Sequence, residues 1–431
     1  MRHHAKTVIK ITILCTLCII ALSCKERLFN NIFDDPDSIP VSSTIYPINY
    51  QNQSFNIEWS KNTDYDFYKY LLYQSTTDNL NNASIIYESE SVTDTSYTIT
   101  EIQNDELRYY WIETLDYWDL KSISPSVRGS SYSKIAYISG DNLLMTMDID
   151  GNNKTVLFTA GYFLKHPMFS PSGKQIVFEN LVDNTTTHIG IINSDGTDYR
   201  EINNVNNNLI YHPQFSPDGQ WIYYSSDGIH RIDTNGNNMT IINDNGLFGS
   251  FSNHFTPDGN TIVYEGNNES GHLQIYKMGV SGDNLLNLSN NDEYNWGPTA
   301  SDYKIAFGRS VIDHQEIFIM DINGSNEIQI ANTHQNYDAY HPFSPDGQRI
   351  AYGTYESGGK LYEYDINSND KRLITEVDGG IHYPVYYPSG DKIIFQLGNS
   401  KIYIVNTDGS GLINLTNNNS WDKHPQIQPQ P

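Results

Sequence analysis

From about residue 134 onward, apolar residues come in short runs separated by turn sequences, and the runs recur at a spacing of about forty residues. They occupy positions 135–138, 176–178, 221–224, 262–264, 305–307, 350–352 and 393–395. Most follow an aromatic residue (Phe169, Phe215, Phe255, Phe343, Tyr386) and a Pro-Asp-Gly or Pro-Ser-Gly turn, in which proline presets φ and glycine accepts φ > 0. The fullest copy, residues 212–219, reads His-Pro-Gln-Phe-Ser-Pro-Asp-Gly. Beyond each run comes a second strand-like segment, such as 191–192, 275–276, 317–320, 361–364 or 402–405. An Asx-Gly pair then follows, as at Asp150-Gly151, Asp195-Gly196, Asn235-Gly236, Asn323-Gly324 and Asp408-Gly409, the dipeptide typical of a tight hairpin. A last short apolar pair completes four strands per repeat, which describes a propeller blade.

Seven apolar second strands predict seven blades and an all-β chain. The fifth repeat has lost its full turn at residues 298–302. The first begins at its second strand, while the chain ends on an orphan first strand at 424–427. The orphan is expected to pair into the first blade and close the ring of residues 134–427, removing exposed sheet edges.

Phe-Ser-Pro-Asp-Gly followed by an apolar strand and an Asp-x-Asn/Asp-Gly turn resembles the WD40-like (PD40) repeats of the TolB family, found also in prolyl oligopeptidase and oligogalacturonate lyase propellers. The resemblance implies a seven-bladed TolB-like β-propeller; it leaves activity open, because propellers host many unrelated functions.

Between residues 41 and 128 the repeat is absent but alternation continues. Phe55, Ile57 and Trp59 fall on one face, with Asn56, Glu58 and Ser60 on the other. Further strands are expected at 68–73, 97–99 and 107–115. An early tryptophan, Trp59, followed by residues 110–116 (Tyr-Trp-Ile-Glu-Thr-Leu-Asp), resembles a fibronectin type III β-sandwich. That resemblance implies a corner hydrogen bond from Tyr110.

The chain opens with Arg2, Lys6 and Lys10, then an uncharged run over 11–22, then Ala21-Leu22-Ser23-Cys24. Such a charged, apolar, small-residue order is that of a signal peptide, residues 1–23, and the run is too short to span a bilayer as a helix. Cys24 resembles the acylated cysteine of bacterial lipoproteins, which implies lipid anchoring in the cell envelope, at the outer membrane. Residues 24–40, polar and rich in Asn and Asp, read as a tether. Cys15 and Cys18 lie within the signal, so Cys24 alone would remain and no intrachain disulfide is expected.

The chain carries 26 basic and 51 acidic residues. So acidic a surface repels nucleic acid, and the membrane is expected to be met through lipid rather than through charge.

The candidate chemistry lies where the repeats open. His166, His212 and His424 take that place, with His341 and His382 within one residue of it. On innermost strands these imidazoles would approach one mouth of the central channel, forming a ligand or metal site. Alternatively, His-Pro belongs to strand-entry geometry and each ring is bound to a neighbouring blade. No metal is specified by the sequence and no cofactor is expected. The Asp-x-Asx-Gly segments lack the spacing and terminal glutamate of an EF-hand loop and read as turns. No Gly-x-Ser-x-Gly, His-Glu-x-x-His or phosphate-binding glycine loop is found.

The sequence thus describes a lipid-anchored envelope protein that presents a propeller to a protein or glycan. A propeller enzyme acting on polysaccharide, resembling oligogalacturonate lyase, is the alternative.

Overall fold

The structure, a computed structural model, describes residues 38–46, 48–51, 53–102, 106–131, 133–202, 209–243, 253–311, 314–331, 342–354, 358–398 and 400–429. The signal segment, Cys24, most of the tether and His341 lie outside these residues. The chain divides into two compact units, residues 1–132 and 133–431. Among the described residues the only helical element is a 3₁₀ turn, Leu80–Asn82.

Among the described residues the smaller unit has two antiparallel sheets. Asn49–Gln51, Ser54–Glu58 and Ser96–Ile99 form one in that order. The other runs Ser84–Ser89, Phe67–Ser75, Leu107–Asp116, Lys121–Ile123, with Val127–Ser130 also paired to Leu107–Asp116. The predicted alternation at Phe55, Ile57 and Trp59 is a buried face, and Tyr70, Leu72, Tyr110 and Ile112 pack against it. Burying each such side chain stabilises the unit by roughly 1.5–3 kcal/mol. The Tyr110 hydroxyl donates to Gln74 Oε1 (3.3 Å), its register partner across the sheet.

The larger unit holds, among the described residues, seven antiparallel sheets. A representative sheet orders Leu164–Phe169, Gln175–Leu181, Thr187–Asn193 and Arg200–Ile202. The second strands read as continuous apolar runs because both faces of each sheet are covered. Ile176 and Phe178 pack with Ala136 and Ile138 of the preceding sheet, while Val177, between them, packs with Ile222 and Tyr224 of the following one. The C-terminal strand Asp422–Ile427 pairs antiparallel with Lys134–Ser139, so the first sheet is built from both ends of the unit.

The Asx-Gly segment at 235–236 lies in a tight turn between Ile229–Asp233 and Thr240–Asn243, which pair antiparallel. At residues 233–237 the Gly236 N–H reaches the Asp233 carbonyl (2.9 Å), the Asp233 N–H reaches the Asn237 carbonyl (3.0 Å), and Gly236 has φ 83°. Asn235 is absent from the residues with positive φ. This is a type I turn closed by a left-handed glycine, whereas a two-residue Asx-Gly hairpin needs positive φ at both central positions. The Asp233 carboxylate accepts the N–H groups of Asn235 and Asn237 (both 2.9 Å), so it serves the turn.

Candidate functional site

The first strands of the sheets carry a shared irregularity. In Leu164–Phe169, Tyr211–Phe215, Asn295–Ala300, Ile381–Tyr386 and Asp422–Ile427 the register slips across an X-Pro pair. Proline has no N–H to give the ladder, so the strand bulges there. The residue before it is left-handed: φ is 46° at His166, 49° at His212, 59° at Gly297, 49° at Tyr383 and 54° at His424. An L-residue held there costs about 1–3 kcal/mol, a cost that glycine escapes and asparagine reduces.

Side chains of the preceding sheet hold three of these bulges. The His212 N–H donates to Glu179 Oε1 (2.8 Å), the Gly297 N–H to Glu265 Oε2 (2.6 Å) and the His424 N–H to Gln396 Oε1 (3.1 Å). The three acceptors are buried and close the apolar runs Ile-Val-Phe-Glu, Ile-Val-Tyr-Glu and Ile-Ile-Phe-Gln. Sequence reasoning passed over them, although a polar residue recurring at one place after an apolar triplet was the available signal.

The bulges converge on a cavity of about 590 Å³ lined by the first strands of six sheets and by residues 342–347, which precede the strand Arg349–Gly353 of the remaining one. His166, His212 and His424 are brought together there: the His166 ring lies 4.2 Å from that of His212 and 4.5 Å from that of His424, centroid to centroid. The Tyr383 ring stands 4.7 Å from His424. His382 is not part of the lining. It pairs with Gln396 one residue before the bulge, and Tyr383 occupies the left-handed position instead.

Burial holds two of these rings neutral. His212 is lowered to about 3, by desolvation first and then by the neighbouring His166. His424 is pushed well below its ordinary value by desolvation, with His166 and Lys423 adding to it. Desolvation would raise Glu179, but His166, whose Nδ1 lies 2.7 Å from Glu179 Oε1, and the His212 N–H outweigh it and keep the carboxyl below the usual range. His212 and His424 therefore present neutral imidazole beside the ionised Glu179 carboxylate.

Trp296, Phe343 and Tyr383 supply aromatic surface to the cavity, and Glu265, Asp302 and Asp346 supply carboxyl groups. No lysine or arginine is among the lining residues. Lys423, next to His424 in sequence, pairs with Asp141.

Comparison with known proteins places this geometry in a family. The TolB β-propeller domain (PD40) family matches residues 125–339 and 302–430. An uncharacterized protein of Agrobacterium fabrum is 26% identical over 195 residues, 43% of this chain, and the match spans 65% of that protein's length. Among solved structures, an oligogalacturonate lyase in complex with manganese aligns with TM-score 0.52 and 11% identity, covering 65% of this chain and 83% of that one. TolB from Acinetobacter baumannii aligns with TM-score 0.47 and 18% identity, covering 76% and 81%. The family match extends over more than half of the chain, which belongs to the TolB β-propeller domain (PD40) family.

Proposed function

We propose that this chain is a lipid-anchored binding protein of the bacterial cell envelope, held at the outer membrane through Cys24, whose propeller takes its ligand at the cavity where the first strands converge. That cavity carries the reading: 590 Å³ is within the range of ligand pockets, and its walls combine aromatic rings with a few fixed polar groups. The closed seven-bladed ring is supported by the seven sheets and by the pairing of Asp422–Ile427 with Lys134–Ser139. The fibronectin type III-like reading of the smaller unit is supported by its three- and five-stranded sheets around Trp59 and Tyr110.

The lining favours a protein or glycan ligand presenting neutral groups, since aromatic rings stack on sugar faces and on apolar side chains alike. Binding of the full chain to envelope extracts and to a glycan array tests this, with Trp296→Ala as the cavity variant. Capture that the variant abolishes supports the reading; capture that it leaves unchanged refutes the cavity as the seat. Mass spectrometry of the N-terminal peptide from wild type and Cys24→Ala tests the anchor.

The second reading, a polysaccharide-processing propeller, is favoured by one observation: three imidazoles share a site on a fold that resembles an oligogalacturonate lyase. Against it stands the lack of a lysine or arginine in the lining to hold a sugar acid. Ultraviolet detection of unsaturated uronates from acidic oligosaccharides decides between the two.

A further inference from the structure

We propose that His166, His212 and Glu179, with His424 alongside, form a divalent transition-metal site of the zinc type opening onto the cavity. This rests on the reading of the cavity as the ligand seat and adds the group through which an oxygen-bearing ligand is held.

One ligand atom from each of His166, His212 and Glu179 lies within 4.8 Å of the others, the sole such group among the described residues. A tetrahedral zinc site with bonds of about 2.0–2.2 Å sets its ligand atoms about 3.3 Å apart, so modest side-chain movement closes this cluster on an ion. His424 stands beside this group, outside the 4.8 Å that joins the other three, and its Nδ1 is buried with no hydrogen-bond partner, in a ring 4.5 Å from that of His166. An orphaned buried ring nitrogen costs free energy, and coordination would recover it.

The chemistry of the donors fits. Metal ions take the neutral imidazole and the ionised carboxylate, and mixed imidazole and carboxylate ligation suits zinc and its neighbours. Glu179 is 2% exposed, and its charge is met by the His166 ring and by the His212 N–H. A dication beside it would balance that charge. His188–Glu201 and His230–Asp227 are single imidazole–carboxylate pairs and offer no third ligand.

Position gives the ion a use. His166 and His212 line the cavity while Glu179 lies behind them, so coordination positions not filled by protein would face the cavity. An ion there would supply the positive charge that the lining lacks, and an oxygen donor from the ligand, a sugar hydroxyl or a carboxylate, would complete its shell. The left-handed backbone at His166, His212 and His424 turns these residues out of the ladder and towards one another.

The test uses the full chain in detergent, without a polyhistidine tag, stripped with chelator and titrated with Zn(II) alone. One equivalent is expected, with affinity weakened by about 100-fold or more in His166→Ala/His212→Ala and by about 10-fold in His424→Ala. His382→Ala should bind as wild type. Co(II) gives a second readout that survives partial loss of stability: visible absorption of a four-coordinate site in wild type and His382→Ala, absent from the double variant. Retention of much less than one equivalent by wild type, or equal binding by the double variant, overturns the proposal. Glycan and envelope-extract binding measured on the stripped chain separates the two readings. Undiminished capture without metal refutes the ion's role and leaves the seat, whereas tight metal with no captured ligand refutes the seat and leaves the ion site.

Discussion

Acidification should unfold the propeller through His212 before the carboxylates take part. The ring is lowered from 6.5 to about 3 in the folded chain. A histidine depressed in this way contributes stability that is complete above its unfolded value and is lost as pH falls towards the folded one, because the unfolded chain binds a proton that the folded chain refuses. The window is therefore from about 6.5 down to about 3. At pH 5 the unfolded ring lies about 1.5 units below its pKa, and at about 1.36 kcal/mol per unit this removes about 2 kcal/mol relative to pH 7. His424, His254 and His382 are lowered too and add in the same direction. Glu179 is depressed as well, but its share is lost only below the ordinary carboxylate range. His212→Asn isolates the effect, since asparagine accepts the left-handed backbone and does not titrate. Urea unfolding of wild type and variant at pH 7, 6 and 5, with chelator present, gives the difference in slope. The transition that the substitution shifts at pH 7 identifies the larger unit. Wild type should lose about 2 kcal/mol more than His212→Asn between pH 7 and 5; equal losses would show that the ring is neither desolvated nor held neutral.

Glu265→Ala should lower stability by about 1–3 kcal/mol by leaving the Gly297 N–H without its acceptor, and Glu265→Gln should cost less because an amide oxygen serves the same role at Gln396; thermal unfolding of the pair checks the order. Gly190→Ala puts a Cβ 2.4 Å from the Phe178 ring, within a sheet that cannot move apart, and should cost about 1–3 kcal/mol by denaturant titration. Deleting residues 422–431 removes the strand paired with Lys134–Ser139 and leaves that sheet with an open edge, so the shortened chain should aggregate on size-exclusion chromatography where wild type does not.

The repeat made most of the larger unit legible. Apolar runs such as 176–178 and 393–395 are second strands because a strand covered on both faces must be apolar throughout, and the Ser-Pro-Asp-Gly turn at 216–219 folds with Gly219 at φ 70°. What failed was local. Ser84–Ser89 passed unnoticed, since its mixed exposure leaves no alternation to read. Three of the five candidate histidines meet. His382 does not, because a displacement of one residue along a strand reverses the side chain, and His341 lies outside the described residues.

Glu179 shows why the site was harder to see than the fold. Its partners, the His166 ring and the His212 N–H, are 13 and 33 residues away in sequence, and the second reaches it from the next sheet. Five first strands share a bulge and a proline, and at three of them, at His212, Gly297 and His424, a side chain behind the bulge accepts the N–H. They make no demand on the side chain before the proline, which is His at three bulges, Gly at Gly297 and Tyr at Tyr383. Variation is thus permitted at the positions that face the cavity, while the residues behind them must satisfy a fixed N–H. Glu179 belongs to both sets: a glutamine would serve the N–H equally well, as at Gln396, but would give up the charge that holds the His166 ring and keeps a carboxylate beside His212. Glu179→Gln should therefore cost less stability than Glu179→Ala, since it keeps the His212 N–H satisfied, while removing the acidic member of the cluster. Equal losses in thermal unfolding would show that the N–H acceptor contributes nothing.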